Sequence, residues 1–199
     1  MGKFTIKSFA PYSLNYLIYI QNAFISSKNE VPKFPSHETA HWGLLEEEHF
    51  RESYKNVWVE MVRRLSQNSL TDHNGILVTE QTLFRNLFKA GEQGEKGFEE
   101  SRKSFYAWFS SLTGQLTIEK AADHIMYYEI DIYNKVSSTI YHHDDRTNQE
   151  LLISLIYDEC LFGVSTGYSW HSIVSLKDIF LDRKDLVSII TERWNEGKT

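Results

Sequence analysis

The run from His37 to Leu65, HETAHWGLLEEEHFRESYKNVWVEMVRRL, constrains this chain most, because it carries the longest helical pattern. From Phe50 onward the apolar positions fall at Phe50, Tyr54, Val57, Trp58, Met61, Val62 and Leu65. That spacing makes one face of an α-helix apolar. Arg51, Glu52, Lys55, Arg63 and Arg64 take the opposite, solvated side. Upstream, Pro32, Pro35 and Ser36 form a start signal, since proline resists helix continuation and a serine side chain accepts from the orphan N–H groups of a first turn. The helix is therefore expected to begin at His37, with Gly43 as the one residue able to break it.

Within its first turn, His37, Glu38 and His41 spell H-E-x-x-H. On a helix this sets two imidazoles one turn apart, where both can hold Zn²⁺, with Glu38 placed to take a proton from a metal-bound water. With Glu60 downstream, the pattern resembles the thermolysin-like and aminopeptidase-like zinc peptidases over about two dozen residues. In an unbroken helix, however, Glu60 lies 19 positions past His41, roughly 28 Å away, too far to share an ion. Glu38/His41 and Glu46/His49 also form two E-x-x-H pairs, but di-iron bundles draw such pairs from two different helices.

Two other motifs carry chemistry. His142-His143-Asp144-Asp145, with His124 upstream and Asp158 downstream, resembles the HD phosphohydrolases, all-helical enzymes that hold a divalent metal for attack on phosphate esters. Gly163-Val164-Ser165-Thr166-Gly167 matches G-x-S-x-G, the nucleophile elbow, which exposes a serine between a strand and a helix. Here LLISLIYDECLF, preceded by the capping box Thr147 to Glu150, reads as a helix instead. His171 is the one histidine that follows, so a Ser-Asp-His order is not assembled.

The rest of the chain punctuates mostly into helices. Phe4 to Phe9 alternates as a short strand, and Ile76 to Val78 is its expected partner. Helices are expected from Ser13 through Phe24, over Glu80 to Ala90, over Phe98 to Leu112, and over Thr117 to Ile140. The last shows two apolar faces, one through Ile125 and Ile132 and one through Met126 and Ile130, so it is expected to be central. A final pair spans Ser172 to Leu181 and Asp185 to Glu196. The glycine-rich segment 91–97, GEQGEKG, is the expected internal hinge. The fold expected is all-α, a single domain over 1–199 of about seven or eight helices with at most one short β-strand pair.

Composition narrows the function classes. A net charge of −6 and a pI near 5.8 argue against a nucleic-acid binder, which needs a basic face, and suit a chain that meets a basic partner. Cys160 is the only cysteine, which points to a reducing compartment. The opening residues carry neither the apolar core of a signal peptide nor a Ser or Thr at position 6 for myristoylation, and no run reaches the length of a membrane span. The expectation is a soluble cytoplasmic protein with no membrane contact. Aromatic residues make up 14% of the chain. They include Tyr106, Trp108, Tyr127, Tyr128, Tyr133, Tyr141, Tyr168 and Trp170, the last two in a glycine-bearing loop and the first choice for an interface.

The leading functional expectation is a protein-binding module, such as a small inhibitor or immunity-type protein, without catalysis or cofactor. The alternatives are a metal-dependent hydrolase and a helical small-molecule-binding domain. The hydrolase would use His37, Glu38 and His41, or His124, His143, Asp144 and Asp158, with a divalent metal.

Overall fold

A computed structural model describes residues 4–28, 33–35, 39–67, 72, 75–140, 149–164, 168, 170–180 and 186–196. Among these the chain is mostly helical, with a three-stranded sheet, and it divides into two compact units. The helical unit comprises Tyr12–Gln115 and Cys160–Val164; the sheet unit comprises Met1–Pro11, Leu116–Glu159 and Ser165–Thr199.

In the helical unit, α1 (Tyr12–Lys28) is buried on all sides from Ser13 to Phe24. It packs against α2 (Glu47–Gln67), α3 (Ile76–Thr79) and α5 (Glu92–Phe109), with α4 (Gln81–Arg85) against α5. A helix enclosed this fully must satisfy its polar groups inside the protein. Tyr16 bonds Ser101 at 2.8 Å and Tyr19 bonds Ser104 at 2.7 Å, both through their hydroxyls. The Gln21 side-chain oxygen accepts from the backbone of Leu161 and Phe162 at 2.6 and 3.2 Å. Around these lies a network of rings, with Phe24 stacked on Phe50 at 4.0 Å and Phe105 against Tyr16, Tyr19 and Phe109.

The helix expected from His37 starts later. Residues 36–38 lie outside those described, Ala40–Trp42 form a single 3-10 turn, and α2 begins at Glu47. Gly43 causes the break: its φ of 65° is a left-handed conformation that favours glycine. From there the backbone runs beside residues 87–89, with Lys89 N–H donating to Gly43 O at 2.7 Å and Leu45 N–H to Leu87 O at 3.1 Å.

Residues 92–97 form the first turns of α5 rather than a loop. Their glycines answer to packing. A Cβ on Gly97 would lie 1.7 Å from the Trp42 carbonyl oxygen, and one on Gly94 would lie 1.8 Å from that of Lys89. Ile76 to Val78, expected as a strand, lie in the short helix α3, whose Val78 and Thr79 amides donate back to Gly75 O.

The sheet unit corrects the all-α expectation. Strands β1 (Phe4–Phe9), β2 (Gln149–Ile156) and β3 (His171–Ser175) form a parallel sheet with β2 in the middle. β2 replaces the helix expected over LLISLIYDECLF. Leu151 to Ile156 are all buried, and a central parallel strand covered on both faces is a continuous apolar run, which periodicity cannot separate from a buried helix. β3 likewise displaces the start of the helix expected at Ser172. Among the described residues the helical part is α8 (Leu176–Phe180), opened by Ser175, whose hydroxyl accepts from Asp178 N–H at 3.2 Å while the Asp178 carboxylate accepts from Ser175 N–H at 2.8 Å.

One face of the sheet, with Leu151, Ile153, Leu155 and Val174, builds an aliphatic core with α6 (Leu112–Tyr127), α7 (Glu129–Ile140), α8 and α9 (Leu186–Glu196) through residues such as Ile125, Ile132, Ile179 and Ile190. The helix expected over Thr117–Ile140 is interrupted at Tyr128, where the amide closes a tight bond to Ile125 O at 2.9 Å before α7 resumes. It is not enclosed on both faces: Ile125 and Ile132 are buried, but Met126 and Ile130 face solvent. No helix among the described residues is long and apolar enough to cross a membrane.

Candidate functional site

The residues expected to hold metal are not brought together where they are described. His37, Glu38, His143 and Asp144 lie outside the described residues. His41 is exposed, with Nε2 2.9 Å from a Glu100 carboxylate oxygen. Glu60, expected to lie too far from His41 to share an ion, is engaged by Arg63 and Arg64, whose hydrogen bonds hold its carboxyl down to about 2. His124, on α6, lies among the rings of Tyr128, Phe180 and Tyr127. Asp158, just past β2, accepts from the Glu159 amide at 2.8 Å. Among the described residues no group of three or more His, Cys, Asp or Glu is arranged to hold a metal ion.

The serine motif also lacks its setting. Six residues separate β2 from Gly163, and among the described residues the next regular element is strand β3, not a helix; Ser165 to Gly167 lie outside the described residues. Gly163 instead closes a turn, donating its amide to Cys160 Sγ at 3.2 Å.

A serine–histidine contact that the sequence reading missed does exist. Ser154 Oγ lies 2.8 Å from His171 Nε2. Their strands set it up: Leu152 is the register partner of His171, and Ser154 is two residues along β2 on the same face. Burial pushes the imidazole down to about 4, so it is neutral near pH 7. Ser154 is wholly buried and His171 4% exposed, so no substrate reaches the pair, and it satisfies two polar groups inside the sheet. Neither residue type nor spacing in the sequence announces it, because Ser154 stands inside an apolar run.

The arrangement with most capacity to act outward is the solvent face of α6 and α7. Met126, Tyr127 and Ile130 are 65%, 83% and 74% exposed, within five consecutive positions straddling the interruption at Tyr128. Three large side chains turned to water so close together are unusual for a surface with no further use. Acidic residues border them: Glu119, Asp123, Glu129 and Asp131 are all exposed. Of the exposed lysines on these helices, Lys120 lies 3.4 Å from Asp123, which leaves Lys135 at the far end. Tyr127 belonged to the aromatic group singled out from the sequence, whereas Met126 and Ile130 read there as core. The first-choice interface residues sit differently: Trp170, at φ 67°, packs against the aliphatic core, and Tyr168 is half-buried.

No protein-family model, curated protein or solved structure matches the chain.

Proposed function

We propose that this chain is a protein-binding module, without catalytic activity, that engages a partner through the solvent face of α6 and α7. The observation that supports the reading is the exposure of Met126, Tyr127 and Ile130 within five consecutive positions across the break between α6 and α7. Exposed apolar groups with an aromatic among them are what a partner can bury, and a few such anchors carry most of the free energy of an interface.

The test is selection from a random peptide library displayed on phage, with the wild-type chain as bait. The triple variant Met126→Ala, Tyr127→Ala, Ile130→Ala is the counter-bait. Removing exposed side chains leaves the core intact, which circular dichroism checks. Peptides that bind the wild type and lose about tenfold or more in affinity for the triple variant are the expected result. Recovery only of peptides indifferent to the three substitutions overturns the reading.

A further inference from the structure

We infer that the helical unit carries a recognition cleft for a short, bent Phe-Gly segment, and that its own residues 160–164 are the resident occupant, able to give way to such a segment from another protein. The inference is independent of the α6 and α7 face. Residues 160–164 belong to the helical unit although Glu159 and Ser165, on either side, belong to the sheet unit. They form neither helix nor strand, and side chains of α1 and α2 hold them.

An apolar pocket with a few placed polar groups is the usual form of a binding site, and the contacts around this segment have that form. The Phe162 ring meets Phe24, Phe50 and Tyr54 edge to face, with centres 6.0, 6.0 and 5.8 Å apart. The Arg51 guanidinium lies over the same ring, 4.3 Å from its centre. Gln21 is wholly buried, and its side-chain oxygen accepts from the consecutive amides of Leu161 and Phe162. Those bonds read backbone, which any sequence offers. Phenylalanine and glycine supply the selectivity. Gly163 passes so close to Trp58 that a Cβ there would lie 2.8 Å from the indole ring, closer than packing tolerates. Leu161, by contrast, is 47% exposed and adds little to the choice. Phe162 and Gly163 are themselves only half-buried, and local opening of so short a segment costs less than global unfolding.

The test titrates a fluorescein-labelled peptide, DECLFGV, residues 158–164, into the wild type and the Phe162→Ala and Gly163→Ala chains under reducing conditions, with anisotropy as readout. Phe162→Ala empties the ring socket, and Gly163→Ala expels the segment by collision with Trp58. Both variants are expected to stay folded by circular dichroism. They bind the peptide at least about tenfold more tightly than the wild type, whose tethered segment competes at an effective concentration on the order of 1 mM. Peptides that carry Phe162→Ala or Gly163→Ala lose binding, and Arg51→Ala, at an exposed position, weakens binding to the Phe162→Ala chain about threefold. Equal affinity for wild type and variants, no binding to the folded variants, or binding indifferent to the peptide's own substitutions overturns the inference. Failure of both variants to fold also overturns it, since an occupant that can leave is not needed to hold the cleft together.

Discussion

In the helical unit aromatic rings, several with polar tips, share the interior with aliphatic chains, while in the sheet unit the buried core is aliphatic throughout. Tyr16, Tyr19, Phe50, Tyr54, Phe84, Phe98 and Phe105 belong to the first, and Leu151, Ile153, Leu155, Val174 and Ile190 to the second. Rings bury more area each, but they are rigid and come with hydroxyls. The helical unit therefore needs serines at set positions to receive those hydroxyls, and glycines where backbone must pass close. Aliphatic side chains ask for no partners. The sheet unit draws its specificity from strand register, with Ser154 and His171 as a buried polar pair on the face away from the aliphatic core.

The sharpest way to break this comparison is Gly97→Ala. If close approach of α5 to Trp42 is what the ring-filled unit depends on, the added methyl collides with backbone that has nowhere to go, and stability drops by about 4 kcal/mol. Urea unfolding followed by tryptophan fluorescence measures it. A loss of only about 1 kcal/mol, the ordinary range for a tolerated change, shows that the approach is not a constraint.

In the sheet unit the corresponding handle is pH. His171 titrates near 6.5 when exposed and near 4 when folded. As pH falls below 6.5 the unfolded chain takes up a proton that the folded chain refuses. Stability therefore declines between about pH 6.5 and pH 4, by about 3 kcal/mol in all, and this contribution is flat above and below that window. His171→Gln, which keeps a nitrogen near Ser154, removes this part of the slope. Equal slopes for wild type and variant in unfolding at pH 7 and pH 4.5 count against a buried neutral imidazole.

The smallest effect is expected for Tyr16→Phe. Ser101 Oγ donates to Phe98 O at 2.9 Å, so Tyr16 is the donor in the bond between the two hydroxyls. Its removal leaves the packing in place and costs about 1 kcal/mol. A neutral or stabilising result from chemical denaturation means that the ring unit holds its polar tips by shape alone.

What was legible in the sequence follows the same division. Phe4–Phe9 shows strand alternation because one side of β1 is polar, and the heptad-like face of α2 from Phe50 to Leu65 shows because one side is solvated. β2 does not, because LLISLI is covered on both faces and loses its period. α1 hides the reverse way: YSLNYLIYIQNAF reads as an ordinary amphipathic helix until Asn15, Gln21 and Asn22 prove buried. The GEQGEKG segment looks flexible by composition, since sequence does not tell a glycine chosen for freedom from one chosen for contact. The face at Met126, Tyr127 and Ile130 was visible as apolar and aromatic, but periodicity reports which residues share a side, not whether anything covers it.

Phe4 pairs with Gln149, so the sheet joins the two ends of a long stretch of chain. At about 5–20 residues added per second, β1 emerges from the ribosome roughly 7–30 s before its neighbour exists. Throughout that interval FTIKSF is a strand without a sheet, the kind of segment that recruits other chains. Lys7 places a charge in its middle, a known deterrent to such association. In the finished fold the same amine lies 2.7 Å from Glu150, and β1 remains at the sheet's edge with that charge still on guard.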